Sequence, residues 1–350
     1  MSNHRILQET MKTTSNKTPF KLNGRWNYQV RSLLALYWSM LYVSIRRLLR
    51  GPLLPNWSWT FEVSTHFVRM QTITGFNMPD HVEGREYENS LVFTSSAVAE
   101  VEIKPIDAPI KGHWYYPKSK AEDITVLYLH GGGYAYYSKS HENLIALVTL
   151  AAKSQTFALD YRLIPEHPFP AQLDDALAAY RWLLETGIKP KRLVVIGDSA
   201  GGNLTLALLL TLRDSKLPLP ALGVCIAPWT DVENSGNSLK ENEPFDWVEK
   251  RMPLQWAEWL CKDTDPRNPI VSPINADLQG LPPVYIQAGD AEILYDMIQS
   301  FYDKAQAQGA NVRLDVWRHM NHDFQAFGDL IPESKEALAL IGQVIKENIV

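Results

Sequence analysis

Gly197-Asp198-Ser199-Ala200-Gly201-Gly202 constrains this chain more than any other stretch. It follows Arg192-Leu193-Val194-Val195-Ile196, a short apolar run rich in β-branched residues that reads as a buried parallel strand. It precedes Asn203–Leu210, apolar on nearly every side and therefore a buried helix. The backbone must turn from strand to helix within a few residues, and Gly197 and Gly201 permit that turn without a clashing Cβ. The turn lifts the Ser199 hydroxyl above the sheet, and the helix beneath it offers free N–H groups and a positive dipole end to an anion. The plainer reading, a glycine-rich turn with an incidental serine, has to be judged against the rest of the chain.

That rest has the right rhythm. Short strands are expected at Val98–Ile106, Ile110–Tyr116 and Ile124–His130, then a helix at Leu144–Lys153 and a strand at Thr156–Tyr161. A helix at Pro170–Glu185 has Leu173, Leu177, Tyr180 and Leu184 on its apolar face. Beyond the serine turn come strands at Ala221–Pro228 and Pro283–Ala288, a helix to Gly309, the strand Val312–Trp317 and a helix from about Pro332. Such alternation implies an α/β domain: a mostly parallel twisted sheet flanked by helices. Between Trp229 and Pro273 it breaks into a tryptophan-rich interval with no clear strand, the pattern of a lid or substrate-binding insertion.

The N-terminal part is different. Residues 1–18 are polar, expected to be mobile, and not a secretory signal. Residues 25–90 carry two or three helical segments, the second suggested by Trp59, Val63, Phe67 and Met70. Leu33–Ile45 is apolar but only 13 residues long, against the about 20 needed to span a bilayer. On a helix ended by Gly51-Pro52, Leu34, Trp38, Leu41, Ile45 and Leu48 share one face, while Arg31, Ala35, Ser39, Tyr42, Arg46 and Arg50 share the other. Packing against the protein's own body is the favoured reading of that face, and contact with a membrane surface is the alternative.

A net charge of −5 gives no reason to expect nucleic acid as a partner. Two cysteines, Cys225 and Cys261, cannot form a disulfide framework and suit a reducing, cytoplasmic setting. No Cys/His spacing suggests a metal, and neither metal nor cofactor is expected. Oligomeric state is not legible.

A serine hydroxyl needs a base, an acid orienting that base, and donors for an oxyanion. After Ser199 only His319 and His322 remain, both beyond the last strand. His319 is nearer the strand end and suits a packing role, leaving His322 as the candidate base. The residue after the nucleophile, Ala200, and the loop His130-Gly131-Gly132-Gly133 supply backbone N–H groups for an oxyanion hole, assigned to Gly131, Gly132 and Ala200.

The glycine loop, the serine turn and Asp160-Tyr161-Arg162-Leu163-Ile164-Pro165-Glu166-His167-Pro168-Phe169-Pro170-Ala171 together resemble the hormone-sensitive-lipase family of α/β-hydrolases, from about residue 110 to the C-terminus. The resemblance implies hydrolysis of short- to medium-chain carboxylic esters without a cofactor. It also implies a helical cap made from residues 1–95 and an insertion at about 230–272, over a catalytic domain of residues 96–350. Laid on the chain, the family's pattern after the seventh strand puts Glu292 and Asp296 over its two aspartates, with glutamate for the first. Glu292 is therefore the expected third catalytic residue and Asp290 the alternative. A small-molecule-binding protein that kept the fold and lost the chemistry would be marked by a missing histidine, and His322 is present. Lactone, carbamate or amide hydrolysis would use the same apparatus.

Overall fold

The structure, a computed structural model, describes residues 20–119 and 121–349. The expectation for residues 1–18 lies outside them. One eight-stranded sheet organises the molecule: β1 Val101–Ile106, β2 Gly112–Pro117, β3 Thr125–Leu129, β4 Gln155–Leu159, β5 Leu193–Asp198, β6 Leu222–Ile226, β7 Val284–Gly289 and β8 Val312–Trp317. Their order is β8-β7-β6-β5-β3-β4-β2-β1, parallel except for the antiparallel pairings of β2 with β1 and with β4. β5 lies between β3 and β6, with Leu129 opposite Gly197 and Asp198 opposite Ile226. The serine turn and the glycine loop therefore leave the sheet side by side at the carboxyl ends of neighbouring central strands, where open α/β sheets bind ligands.

Continuous apolar runs form these strands because both faces are covered. Val194 and Ile196 pack into the layer of Leu144, Ile145, Ile341 and Ile345, and Val195 into the opposite layer with Leu204, Leu208 and Tyr180. The helix Ala200–Asp214 is buried along nearly its whole length, as its all-round apolar sequence requires. The expected strand at Val98 starts three residues later: Ser95 accepts a hydrogen bond from the Ala97 N–H at 3.1 Å and winds Ser96–Glu100 into a 3-10 turn.

Three helices, Trp26–Arg50, Trp59–Phe76 and His81–Glu88, and a two-stranded ribbon of Phe20–Leu22 with Leu91–Phe93 make the N-terminal layer. Trp57 and Phe61 pack with Met320, Phe324 and Ile331, so this layer rests on the loop after β8. The first helix does pack against the body, but through the side opposite to the expected one. Its buried residues are Tyr28, Ser32, Ser39 and Val43. Ser32 Oγ meets Ser90 Oγ at 2.7 Å, and Ser39 Oγ meets His66 Nδ1 at 2.9 Å and the Ala35 carbonyl at 2.8 Å. Leu34, Trp38, Leu41, Ile45 and Leu48 face outward.

Candidate active site

Ser199 closes β5 with φ 52° and ψ −117°, a conformation that non-glycine residues rarely adopt and that costs about 1–3 kcal/mol. Its surroundings hold it there. The Ser199 N–H donates to the Ile226 carbonyl at 2.8 Å, and the Ser199 carbonyl accepts from the N–H groups of Trp229 and Asn203, each at 3.1 Å. A Cβ on Gly197 would lie 2.1 Å from the Gly201 carbonyl oxygen, and one on Gly201 1.9 Å from that of Leu129. Both glycines are required by close backbone approach, which is what the sequence pattern demanded.

His322 stands in the loop after β8, and Glu292 in the turn after β7. Both are fully buried, with His322 Nδ1 4.0 Å from Glu292 Oε2. Burial pushes the imidazole down to about 3, so the ring is neutral at neutral pH. Glu292 is pushed well above the usual carboxylate range, first by burial and then by the nearby Asp246 carboxylate. It also accepts the Gly289 N–H at 3.2 Å. Asp290 turns elsewhere: it accepts the His319 N–H, while His319 Nδ1 meets Asn56 Oδ1 at 2.9 Å. Asp296 accepts the N–H groups of Asn237 and Ser238 at 2.7 and 3.0 Å and so ties down the insertion. Of the two candidate acids, Glu292 is the one that lies beside His322, at a separation longer than a hydrogen bond.

Gly132 and Gly133 line the same cavity as Ser199 and His322. Gly131 lies behind them: a Cβ there would sit 2.2 Å from Asp198 Oδ2, and its backbone N–H serves that carboxylate. This departs from the expected Gly131–Gly132 pair. Asp198 is engaged on its other oxygen by the Tyr128 hydroxyl at 2.6 Å, so the loop is pinned from below at Gly131. The cavity measures about 180 Å³, and most of its walls are apolar, among them Phe67, Val68, Trp229, Trp247 and Trp256. Among the described residues, no three His, Cys, Asp or Glu side chains gather as a metal site.

Residues 126–326 match the family model described as alpha/beta hydrolase fold. The chain belongs to that family. An acetyl-hydrolase of Streptomyces hygroscopicus is 39% identical over 71% of this chain and 85% of its own. An esterase of Acinetobacter venetianus is 34% identical over 69% of this chain and 81% of its own. Among solved structures, an esterase from the bacterial hormone-sensitive lipase family superposes with a TM-score of 0.71 at 32% identity, covering 94% of this chain and all of that one. A mutant of the esterase E40 gives 0.74 at 35% identity over 81% of this chain and 96% of that one. The fold and the family are those of the hormone-sensitive-lipase α/β-hydrolases, and the chain is a serine carboxylesterase, a carboxylic ester hydrolase.

In this hydrolase the insertion does more than wall the cavity. Asp246 is fully buried, accepts the Ile293 N–H at 2.7 Å and the Val248 N–H at 3.2 Å, and is raised by burial to about 7. Its neighbour Trp247 donates from Nε1 to the His322 carbonyl at 2.7 Å. Arg69 of the N-terminal layer binds the carbonyls of Glu243 and Asp246. One short segment of the insertion thus fastens both the turn carrying Glu292 and the loop carrying His322. Asp323, with Oδ2 3.3 Å from His322 Nε2, is a further buried carboxyl at the cavity wall, raised by burial and by Asp198. Neither Asp246 nor Asp323 stood out in the sequence, because neither lies in a periodic element. The one available signal was an aspartate flanked by Phe245 and Trp247 in an otherwise irregular stretch.

Proposed function

We propose that this esterase works through an acyl-enzyme on Ser199, with His322 as base and then acid, Glu292 as the group orienting it, and the amides of Gly132, Gly133 and Ala200 as the oxyanion hole. The observation that carries the reading is that Ser199 and His322 line one apolar cavity while Glu292 backs His322 from the Nδ1 side at 4.0 Å. Ser199 Oγ attacks the ester carbonyl carbon as His322 Nε2 takes the hydroxyl proton. The resulting alkoxide faces the three amides, each worth about 2.7–4 kcal/mol there. Collapse breaks the ester C–O bond, and the leaving alcohol receives the proton from His322. A water, deprotonated by His322, then attacks the acyl carbonyl, expels Ser199 Oγ and releases the acid as the serine regains its proton. Burial of both His322 and Glu292 penalises each charge alone, but the imidazolium formed in each step is met by the carboxylate beside it.

The apolar walls suit the hydrocarbon part of an acyl group, and short to medium acyl chains are the substrates proposed. A cytoplasmic setting is supported by two free thiols, Cys225 buried and Cys261 half-buried, and among the described residues no helix is long and apolar enough to cross a membrane. A serine-reactive organophosphonate is expected to label the protein once. Ser199→Ala should abolish labelling and lower kcat by about 10⁶. Undiminished turnover in that variant refutes the assignment. Across p-nitrophenyl esters from acetate to palmitate, kcat/KM should peak at the short end.

A further inference from the structure

We propose that the outward face of the helix Trp26–Arg50 is a docking face for an anionic bilayer, with the helix lying in the interface plane. Eleven large apolar side chains of this one helix are exposed, among them Trp26, Leu34, Tyr37, Trp38, Leu48 and Leu49, the last two at 86% and 74%. At about 100° per residue they cover half the helix circumference, along a helix of roughly 37 Å. Monomers rarely leave a contiguous apolar patch of this extent in water. None of the described residues covers it, and residues 1–19 offer only Met1, Ile6, Leu7 and Met11 as large apolar side chains.

Two observations select a bilayer over a second copy of the chain. The first is shape. A single partner helix in a coiled-coil seam buries a stripe narrower than about a hundred degrees, whereas an apolar half-cylinder matches a planar surface. The second is charge. The chain as a whole carries −5, yet Trp26–Arg50 holds Arg31, Arg46, Arg47 and Arg50 and not one acidic residue. Arg46 and Arg47 share the single Glu62, at 2.9 and 2.7 Å, so that group keeps a positive excess. Arg31, at the margin of the exposed half, and Arg50, in the last turn on the body-facing side, are both exposed and enter no ion pair among the described residues. Exposed Trp26, Tyr37, Trp38, Tyr42 and Trp59 have the amphipathic rings that settle at headgroup depth. The anionic surface of the cytoplasmic leaflet supplies the matching charge.

The geometry also gives docking a use, and only this part rests on the esterase reading. The buried side of the first helix packs on Trp59–Phe76 through Ser39 and Met70, and Phe67, Val68, Gln71 and Thr72 of that second helix wall the catalytic cavity. The first helix and the second would then separate the bilayer from the site, and apolar esters are concentrated in the bilayer.

The test is co-sedimentation of the full chain with phosphatidylcholine vesicles containing about one-quarter phosphatidylglycerol. Binding is expected, falling roughly tenfold or more in about 0.5 M salt or on pure phosphatidylcholine. The combined variant Leu34→Ser, Trp38→Ser, Leu41→Ser, Leu48→Ser should lose binding by a similar factor while hydrolysing a water-soluble acetate ester at an unchanged rate. That unchanged rate shows the variant to be folded and separates this test from that of the catalytic reading. Three results overturn the proposal: wild type that ignores anionic vesicles as a monomer, wild type that ignores them as a dimer the variant dissociates, and a variant that binds them as well as wild type.

Discussion

Val194, Val195 and Ile196 on the central strand and Leu34, Trp38 and Leu41 on the first helix are similarly apolar, yet the first three are completely buried and the last three are 39–64% exposed. The difference lies in what each region has to bury against. The strand is hydrogen-bonded on both edges and covered on both faces, so its composition alone determines where its side chains go. The helix could present either side to the body, and it presents the side on which Ser32 and Ser39 meet Ser90 and His66. Amphipathicity therefore tells that a helix has two sides but not which one faces in. In the sheet region a substitution should strike chemistry. In the N-terminal layer it should strike attachment and stability.

The largest effect that sharpens this contrast belongs to the turn after β7. Glu292→Gln keeps the shape beside His322 and removes the carboxylate, and kcat should fall by about 10⁴ with the fold intact, as loss of the orienting acid does in a serine triad. Asp290→Asn, whose oxygen accepts only a backbone N–H from His319, should cost less than about tenfold. Steady-state kinetics with circular dichroism as a folding control would check both. The reverse ranking would move the role to Asp290.

What was legible followed the same division. The serine turn could be read from six residues, because a strand, two glycines and a helix N-terminus are local constraints. His322 as candidate base followed from chain order, since only two histidines come after Ser199. Glu292 as candidate acid needed the register of a family pattern laid over the turn. The choice among three adjacent glycines was not legible: it depends on Asp198, which reaches under the loop and engages Gly131, leaving Gly132 and Gly133 at the cavity. Asp246 was invisible for another reason. It lies 46 residues before Glu292, in a segment without periodicity, and acts through tertiary contacts alone.

A smaller effect is expected where the N-terminal layer is held together. Glu62 is buried and receives Arg46 at 2.9 Å, Arg47 at 2.7 Å and the Leu53 N–H at 2.7 Å. Glu62→Gln leaves two guanidinium groups without their counter-charge and should destabilise by about 3 kcal/mol, the lower end for a broken buried pair because both arginines are partly solvated. The loss should be local. Limited proteolysis should cut between Trp26 and Leu54 before it reaches the sheet, with kcat on a water-soluble ester little changed. If activity falls in step with the cleavage, the two regions are not separable and the contrast breaks.

The smallest effect tests whether the insertion belongs electrostatically to the catalytic region. Asp246 has a pKa of 3.8 when unperturbed and about 7 in the fold, raised by burial. Between those values the folded protein holds a proton that the unfolded chain has released. The group therefore contributes stability that is fully present below about pH 4 and is lost as the pH rises through 7. His322 runs the opposite way. Lowered from 6.5 to about 3, it contributes stability above 6.5 that is lost as the pH falls toward 3, so the two windows part near neutrality. Raising the pH from 6 to 8 should consequently lower the Tm of the wild type. In Asp246→Asn, whose amide oxygen can still accept the Ile293 N–H, that decline should flatten, by a few degrees at most for a chain of this size. The same variant removes a negative neighbour of Glu292, so the carboxylate should ionise more readily and kcat should stay within about tenfold. A Tm profile identical to wild type across that window would mean that Asp246 does not titrate there, and that its two backbone hydrogen bonds are its whole contribution to the site.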